Sequence, residues 1–395
     1  MEPSKSRVYM WQNNLCITYT ITFKMFEDYF LANGWIVVQD ARQADWILIG
    51  ACGGFLPQIK DYVEKIKTLA TLGKKIAVYG CLPKIAPEEF KKSGASVNLY
   101  IPPSRPQDIE KIVSDPSIPW KELRESCGFR KEDYRKYDPK KKYVVIQYGC
   151  DATCVYCPHK IGMGPRISRP KEEVLSLVRA SLANGANTIF LEGQDSGSWG
   201  TDLVPAQNYL DVLEPILEMP GDFEVHIGQF SSGWILHYGE KLLKAFGHPR
   251  VTDIKTPIQS ANPRILTLMG RDPRVKEIGP FLKNLRHSKK KMNIRTDIMI
   301  GFPTETKQEL DMTLEFARNH FYEIACFGFE IHPNTPIAKM DTKFHTKEVI
   351  EERVQYAIKF LEEDPQIITH RGGQVYDTLI TREKRKEELV VRLIR

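Results

Sequence analysis

The sequence predicts an α/β protein: a small parallel-sheet domain of flavodoxin-like type, followed by a partial (β/α)6 barrel of the TIM type. Two observations carry this. Short apolar runs such as Trp46-Ile-Leu-Ile-Gly50 and Lys75-Ile-Ala-Val-Tyr-Gly80 end in glycine and alternate with amphipathic stretches, as buried parallel strands crossed by helices do. The alternation also occurs twice, briefly over residues 1–118 and at greater length over 141–340. The polar, charged segment 119–140 between them reads as a linker, with Cys127 a bystander. At 395 residues and 42% hydrophobic content the chain has room for both cores.

In the first series Arg7–Met10 is a strand. Phe23–Ala32 is a helix by the spacing of Phe23, Phe26, Tyr29 and Phe30, stopped by Asn33-Gly34. Trp35–Val38 and Trp46–Gly50 are strands, Tyr62–Leu72 an amphipathic helix and Lys75–Gly80 a strand. Cys16, Cys52 and Cys81 each follow a strand. Loops at the carboxyl ends of parallel strands converge on one edge, so three thiolates there suit a [4Fe–4S] cube with one open iron. Three cysteines buried in a core are the competing reading.

The second series starts with the strand Tyr143–Gln147 and the stretch Tyr148-Gly-Cys150-Asp-Ala-Thr-Cys154-Val-Tyr156-Cys157-Pro-His159. Strands follow at Thr188–Glu192, Phe223–Ile227, Val251–Lys255, Ile294–Gly301 and Ile324–Ile331. Between them lie helices at Lys171–Asn184, Tyr209–Met219, Gly239–Phe246, Ile278–Arg286 and Lys307–Arg318. Ligands of such barrels sit at the carboxyl-terminal strand ends. The tail, residues 341–395, reads as an amphipathic helix, Thr346–Glu363, and a short hairpin, Val375–Thr381 with Leu389–Ile394, around the charged turn Arg382–Glu388.

The spacing Cys150-x3-Cys154-x2-Cys157 places three thiolates on one tight loop, enough to hold three irons of a cube and leave the fourth free for a small molecule. A zinc site wants a fourth Cys or His at comparable spacing, and His159 follows Cys157 too closely. An odd count argues against a disulfide. The N-terminus lacks the apolar region of a secretory signal, and no apolar run reaches the ~18 residues of a membrane helix. The expected location is therefore cytoplasmic, with no membrane partner; reducing conditions suit six cluster cysteines. The net charge of +6 permits an anionic partner without requiring one.

The three-cysteine loop resembles that of the radical S-adenosylmethionine (radical SAM) superfamily. Further segments narrow the resemblance to its methylthiotransferases: Val-Tyr-Gly-Cys81-Leu-Pro, Leu191-Glu-Gly-Gln194-Asp, Thr256-Pro-Ile-Gln259-Ser260, Arg295-Thr-Asp297-Ile-Met-Ile-Gly301-Phe-Pro303-Thr-Glu-Thr and Ile331-His-Pro-Asn-Thr-Pro336. The surroundings of Cys16 (Asn-Asn-Leu before, Ile-Thr after) and the Gly-Gly after Cys52 depart from that family's pattern.

The resemblance implies two [4Fe–4S] clusters, one on Cys150, Cys154 and Cys157 and an auxiliary one on Cys16, Cys52 and Cys81. SAM is the implied cofactor and a low-potential donor of flavodoxin or ferredoxin type the implied electron source. By the same resemblance and chemical fit, Tyr156 lies against adenine, and Gln194 and Gln259 serve the methionine or ribose part. Arg271 pairs with the SAM carboxylate, or else forms a surface salt bridge; Asp297 accepts from ribose hydroxyls, or else caps a turn. No catalytic side chain is assigned. The implied reaction inserts sulfur or a methylthio group into an unactivated C–H bond. Members acting on tRNA and ribosomal protein end in a TRAM barrel, for which the residues after Gly372 are too few. The expected substrate is accordingly a peptide or small natural-product precursor, with tRNA as the alternative. A different radical SAM reaction that uses the auxiliary cluster for electron transfer, and a non-catalytic iron–sulfur protein, are the competing functions.

Overall fold

In a computed structural model, described for residues 5–13, 15–54, 56–123, 140–288 and 292–371, the N-terminal strands are β1 (Arg7–Gln12), β2 (Ile36–Val38), β3 (Trp46–Gly50), β4 (Lys75–Tyr79) and β5 (Leu99–Ile101). All pair in parallel, in the order β2-β1-β3-β4-β5. This is the flavodoxin-like order, whose switch point gathers ligands at the carboxyl ends of the strands. The register aligns those ends: Gln12 pairs with Gly50, and Gly50 with Tyr79. The loops bearing Cys16, Cys52 and Cys81 therefore leave from one edge.

The helices here are α1 (Ile17–Ala32), α2 (Leu56–Ala70), α3 (Leu82–Ile85) and α4 (Pro87–Lys91). α1 starts six residues earlier than its aromatic spacing predicts, so Cys16 stands at a helix N-terminus instead of in an open loop. The β-branched run Ile17-Thr-Tyr-Thr-Ile-Thr22 hides the start. Tertiary burial overrides that preference, and the hydroxyls of Thr20 and Thr22 bond back to the Cys16 and Thr18 carbonyls, at 3.1 and 3.2 Å. The aromatic face packs inward, with Phe26 edge-on to Tyr79 at 4.9 Å.

The second sheet comprises β6 (Lys141–Val145) and, after the short antiparallel pair β7 (Gln147–Tyr148) and β8 (Ile167–Ser168), the strands β9 (Thr188–Glu192), β10 (Glu224–Ile227), β11 (Val251–Lys255), β12 (Asn293–Ile300), β13 (Glu323–Gly328) and β14 (Ile368–Arg371). The order β14-β13-β12-β11-β10-β9-β6 is parallel throughout. Its helices are α5 (His159–Met163), α6 (Lys171–Ala183), α7 (Tyr209–Leu217), α8 (Ser232–Phe246), α9 (Pro263–Met269), α10 (Gly279–Ser288), α11 (Lys307–His320) and α12 (Lys347–Glu362). The barrel gains a seventh strand, because α12 returns the chain to lay β14 beside β13. α8 begins seven residues before the expected helix and kinks at Gly239, where φ is 54°. The expected hairpin, the turn Arg382–Glu388 and Cys127 lie outside the described residues.

Alternation along the strands divides the sheet's two faces. Val144, Ile189, Leu191, Val225, Ile254 and Ile294 join the core under the barrel helices. Tyr143, Val145 and Phe190, on the inner face, join the core of the N-terminal sheet instead. Tyr143 and Phe190 stack at 4.2 Å. The N-terminal unit thus packs into the barrel's mouth on the side of its first strands. No described helix is long and apolar enough to cross a membrane.

Candidate cluster and cofactor site

The β7–β8 pair pins both ends of the Cys150–Cys157 loop. Gly149, with φ of 70°, lies under Pro165: a β-carbon there would stand 2.0 Å from the Pro165 carbonyl oxygen, so the closure requires glycine. Backbone bonds tie the loop down at several points. The Cys150 amide donates to Gly164, the Val155 amide to Met269 and the Cys157 amide to Cys154. All three thiols are half-buried. The Ala152 amide approaches Cys150 Sγ at 3.4 Å, and Arg271 Nη1 approaches Cys154 Sγ at 3.7 Å.

Burial pushes the Cys150 thiol up to about 12. It also raises Cys154, against the pull of the Arg271 guanidinium. At Cys157 burial is outweighed by His159, whose charge and hydrogen bonds hold the thiol below its ordinary range. Desolvation disfavours the His159 cation, but the Cys157 thiolate and then Cys81 push the imidazole up to about 9.

At the N-terminal edge, Cys52 and Cys81 are buried and Cys16 half-buried. The Gly53 amide points at Cys81 Sγ (3.2 Å) and the Gly54 amide at Cys52 Sγ (3.4 Å). Backbone N–H groups aimed at sulfur are a recurring feature of iron–sulfur sites. Cys52 and Cys81 stand 3.8 Å apart and share one hydrogen bond. That bond, then burial, keeps the proton on Cys52. Burial opposes a Cys81 thiolate, yet hydrogen bonds from Cys52, the Gly53 amide and Tyr19 bring it down to about 6. Cys16 is near enough to add to the shift at Cys52. The buried phenols of Tyr19, Tyr62 and Tyr79 line the site, each held neutral first by its burial.

The donor set fits a cube: three thiols, amides aimed at two of the sulfurs and no acidic ligand. Two sulfurs on one tetrahedral ion would lie about 3.8 Å apart given bonds of ~2.3 Å, so a cube, with each thiolate on its own iron, must spread Cys52 from Cys81. Among the described residues no three His, Cys, Asp or Glu side chains are placed to hold a single ion.

The expected SAM contacts divide. Gln259 sits at the barrel mouth with φ of 66°, held by backbone bonds to Asp297 and Met299 that extend β12's pairing. Asp297 Oδ2 pairs with Lys255 at 2.8 Å, while its buried Oδ1 has no partner. Tyr156 lies edge-on to Phe302 at 6.3 Å. Arg271 is turned inward: besides Cys154 it donates to the Pro257 carbonyl at 2.7 Å, leaving Nε unpartnered. Among the described residues it forms no salt bridge. Gln194 does something sequence reasoning did not anticipate: its Nε2 donates to Thr18 of α1 at 3.2 Å, joining the two units beside Cys16, and its buried Oε1 stays unpartnered.

Three further residues went unnoticed in the sequence. Glu192 ends β9 on the inward parity, and its carboxylate fills the space over Gly228, where a β-carbon would stand 2.5 Å from Oε2. Lys255 ends β11 on the same parity. Asp195 is half-buried, its carboxyl raised by desolvation, and accepts from Trp234 Nε1 at 2.8 Å. Inward parity at a strand's carboxyl end was the signal available for the first two.

Against known proteins, residues 144–317 match the Radical SAM superfamily. The chain is 28% identical over 340 residues to ribosomal protein uS12 methylthiotransferase RimO of Carboxydothermus hydrogenoformans, covering 84% of this chain and 77% of that protein. It is also 28% identical, over 319 residues, to the tRNA-2-methylthio-N(6)-dimethylallyladenosine synthase of Herpetosiphon aurantiacus, covering 78% and 70%. Among solved structures, the radical S-adenosylmethionine methyltransferase TsrM of Kitasatospora setae superposes with a TM-score of 0.62 at 10% identity, covering 84% and 77%, a likeness of fold.

Proposed function

We propose that the chain is a radical SAM methylthiotransferase, as its radical SAM match and its similarity to methylthiotransferases support, in which Cys150, Cys154 and Cys157 hold the cluster at which SAM is cleaved, while Cys16, Cys52 and Cys81 hold a second cluster that carries sulfur. The protein is an enzyme that forms carbon–sulfur bonds. The observation behind the two-cluster reading is geometric. Both thiol sets lie at the carboxyl ends of parallel strands, and α5 links them directly, following Cys157 at one end and pressing on Cys81 near the other. When bound, the clusters and two SAM molecules supply a 5′-deoxyadenosyl radical, a sulfur and a methyl group.

The chain's own residues orient these groups and keep water out. Tyr156 takes the adenine, while Gln259 and the free Oδ1 of Asp297 meet the ribose or methionine part. Arg271 holds Cys154 in place and keeps Nε for the SAM carboxylate. Gln194 keeps α1, and with it Cys16, against the barrel, its Oε1 remaining for the cofactor. The electron enters from a flavodoxin- or ferredoxin-type donor.

The substrate reading has two branches. A charge of +6 over 395 residues is modest for gripping folded RNA through phosphates, which favours a peptide or small precursor. A relative named for a tRNA nucleoside favours tRNA at least as strongly. Anaerobic turnover with SAM carrying a deuterated methyl group tests the function. A labelled methylthio mass shift on tRNA nucleosides or on a peptide, alongside 5′-deoxyadenosine, is expected. 5′-Deoxyadenosine without label in any product would sink the methylthiotransfer reading.

A further inference from the structure

The chain's positive charge is not evenly spread. Residues 283–291, Lys-Asn-Leu-Arg-His-Ser-Lys-Lys-Lys, hold five Lys and Arg and no acid, against a net charge of +6 for all 395 residues. Where this stretch closes α10, a cleft of about 530 Å3 opens, lined by Lys283, Arg286, His287, Asn319, His320 and Tyr322. α10 and α11 both end at it, and Tyr322 leads into β13. The cleft therefore lies at the amino-terminal face of the barrel, opposite the thiol sets.

None of the lining side chains is acidic, and among the described residues Lys283, Arg286 and His287 have no carboxylate partner. Elsewhere on α11 the cations are paired, Arg318 with Glu315 at 2.8 Å and Lys307 with Asp311 at 3.2 Å. Arg286 is held from two sides: its guanidinium lies over the Tyr322 ring at 4.2 Å, and Nη1 donates to the Asn319 carbonyl at 2.7 Å. A guanidinium so fixed is a rigid fork with N–H groups left for a phosphate. A β-carbon on Gly279 would stand 3.0 Å from His320 Nε2, so glycine gives that ring its place at the cleft. Basic groups in a last turn complement the helix dipole. That accounts for Arg286 and for His287, whose ring bonds to the Lys283 carbonyl at 2.7 Å. It does not account for Lys283, which is exposed, unpaired and a turn earlier on the same face. Like charges gathered without counter-charges repel one another unless an anion offsets them.

We propose that this cleft grips the phosphate backbone of a folded RNA, with Lys283 and Arg286 as the contacts. The proposal rests on the tRNA branch of the function above and deepens it: the grip that the small overall charge seems to deny is concentrated at one place. A protein partner needs an apolar centre, and no aliphatic side chain lines the cleft. A single small anion would fill little of its 530 Å3. A run of phosphates fits its size and its sign. β12, eight residues long, spans ~26 Å between this face and the mouth. A folded RNA whose stem lies along α10 and α11 covers that distance while one base enters the mouth.

The test is titration of total tRNA against the full, anaerobically reconstituted chain at several salt concentrations. Lys283→Gln, Lys283→Glu, Lys283→Arg and Arg286→Lys stand beside the parent. Lys74→Glu, at a lysine between α2 and β4 that makes no ion pair among the described residues, controls for net charge. Lys283 is exposed, so its variants should load iron as the parent does. Lys283→Gln should weaken binding about tenfold at low salt and reduce the slope of log affinity against log salt by about one. Lys283→Glu should weaken it further and Lys283→Arg restore it. Arg286→Lys keeps the charge and loses the fork, so affinity should fall with the slope kept. Lys74→Glu should bind as the parent does. A parent that does not bind tRNA, or an unchanged affinity and slope in Lys283→Glu, overturns the proposal. So does an equal loss in Lys74→Glu, and so does preference for poly-glutamate over tRNA, which would assign the cleft to an acidic protein. Methylthio label reaching tRNA equally in the parent and Lys283→Glu refutes the grip and leaves the enzyme standing. Binding of tRNA through Lys283 with no label in any product supports the grip and refutes the methylthiotransferase.

Discussion

Gly162→Ala separates two opposite physical expectations. By helix propensity the change is favourable, by up to about 1 kcal/mol. By geometry it is not, because the new methyl group would stand 2.5 Å from the Cys81 β-carbon, 2.9 Å from Ile85 Cδ1 and 3.1 Å from Ile85 Cγ1. Ordinary carbon contacts lie at ~3.5–4.0 Å, so about 1 Å must be found. The Cys81 β-carbon is fixed to the backbone of a buried strand end and cannot swing away. α5 must lift from α3, an overpacking cost of about 1–3 kcal/mol. A net loss of about 1–2 kcal/mol should lower the midpoint of anaerobic thermal unfolding by ~2–4 °C per kcal/mol for a unit of this size. Gly233→Ala in α8 is the control: its nearest neighbours, Asp272 atoms, lie at 3.8 and 3.9 Å, so propensity alone acts and the midpoint should hold or rise. If Gly162→Ala is as stable as Gly233→Ala, α5 does not press on Cys81 and the joining of the two sites is wrong.

Arg271→Met removes the half-buried cation linking Cys154 to the Pro257 carbonyl; charged hydrogen bonds contribute about 1.5–3 kcal/mol, so a chelator should strip iron from the Cys150 set about tenfold faster or more, and equal rates would refute this role. Glu305 accepts from the Gly301 amide at 2.7 Å inside the turn after β12, and burial raises its carboxyl to about 7 from 4.5. Its stabilising contribution is therefore complete below pH ~4.5 and lost as pH rises through 7, about 3 kcal/mol in all; Glu305→Gln should flatten that part of a stability-versus-pH curve, and an unchanged slope would show the carboxyl to be ordinary. For the substrate, titration with total tRNA at low and moderate salt distinguishes the branches: tight binding with a steep salt slope, lost when Arg382, Lys384, Arg385 and Lys386 are neutralised, selects tRNA, whereas weak, salt-insensitive binding selects a peptide or small molecule.

Strand ends were legible in the sequence because glycine closes both Trp46–Gly50 and the Lys75–Gly80 run, and because parallel sheets bring such ends to one edge. That placed Cys52 and Cys81 together. The start of α1 was not legible, since Ile17–Thr22 has strand composition and is helical where it is buried, with Tyr19 edge-on to Tyr79. β5 and β14, three and four residues long, are too short for any periodicity. Gln194 read as a cofactor ligand because its motif resembles one, but its bond to Thr18 spans 176 positions. Arg271 was legible as a residue of this loop, but not that its fork reaches a thiol and a carbonyl within its own unit, with Nε left over.

Iron counting on four proteins tests the central claim most directly. The anaerobically reconstituted parent should bind about eight irons. Replacing Cys150, Cys154 and Cys157 with Ala should leave about four and abolish 5′-deoxyadenosine formation under strong reductant. Replacing Cys16, Cys52 and Cys81 should also leave about four, with 5′-deoxyadenosine still formed and sulfur transfer stopped. Replacing all six should leave none. Zinc in the N-terminal set, or 5′-deoxyadenosine from the chain lacking Cys150, Cys154 and Cys157, would contradict the account.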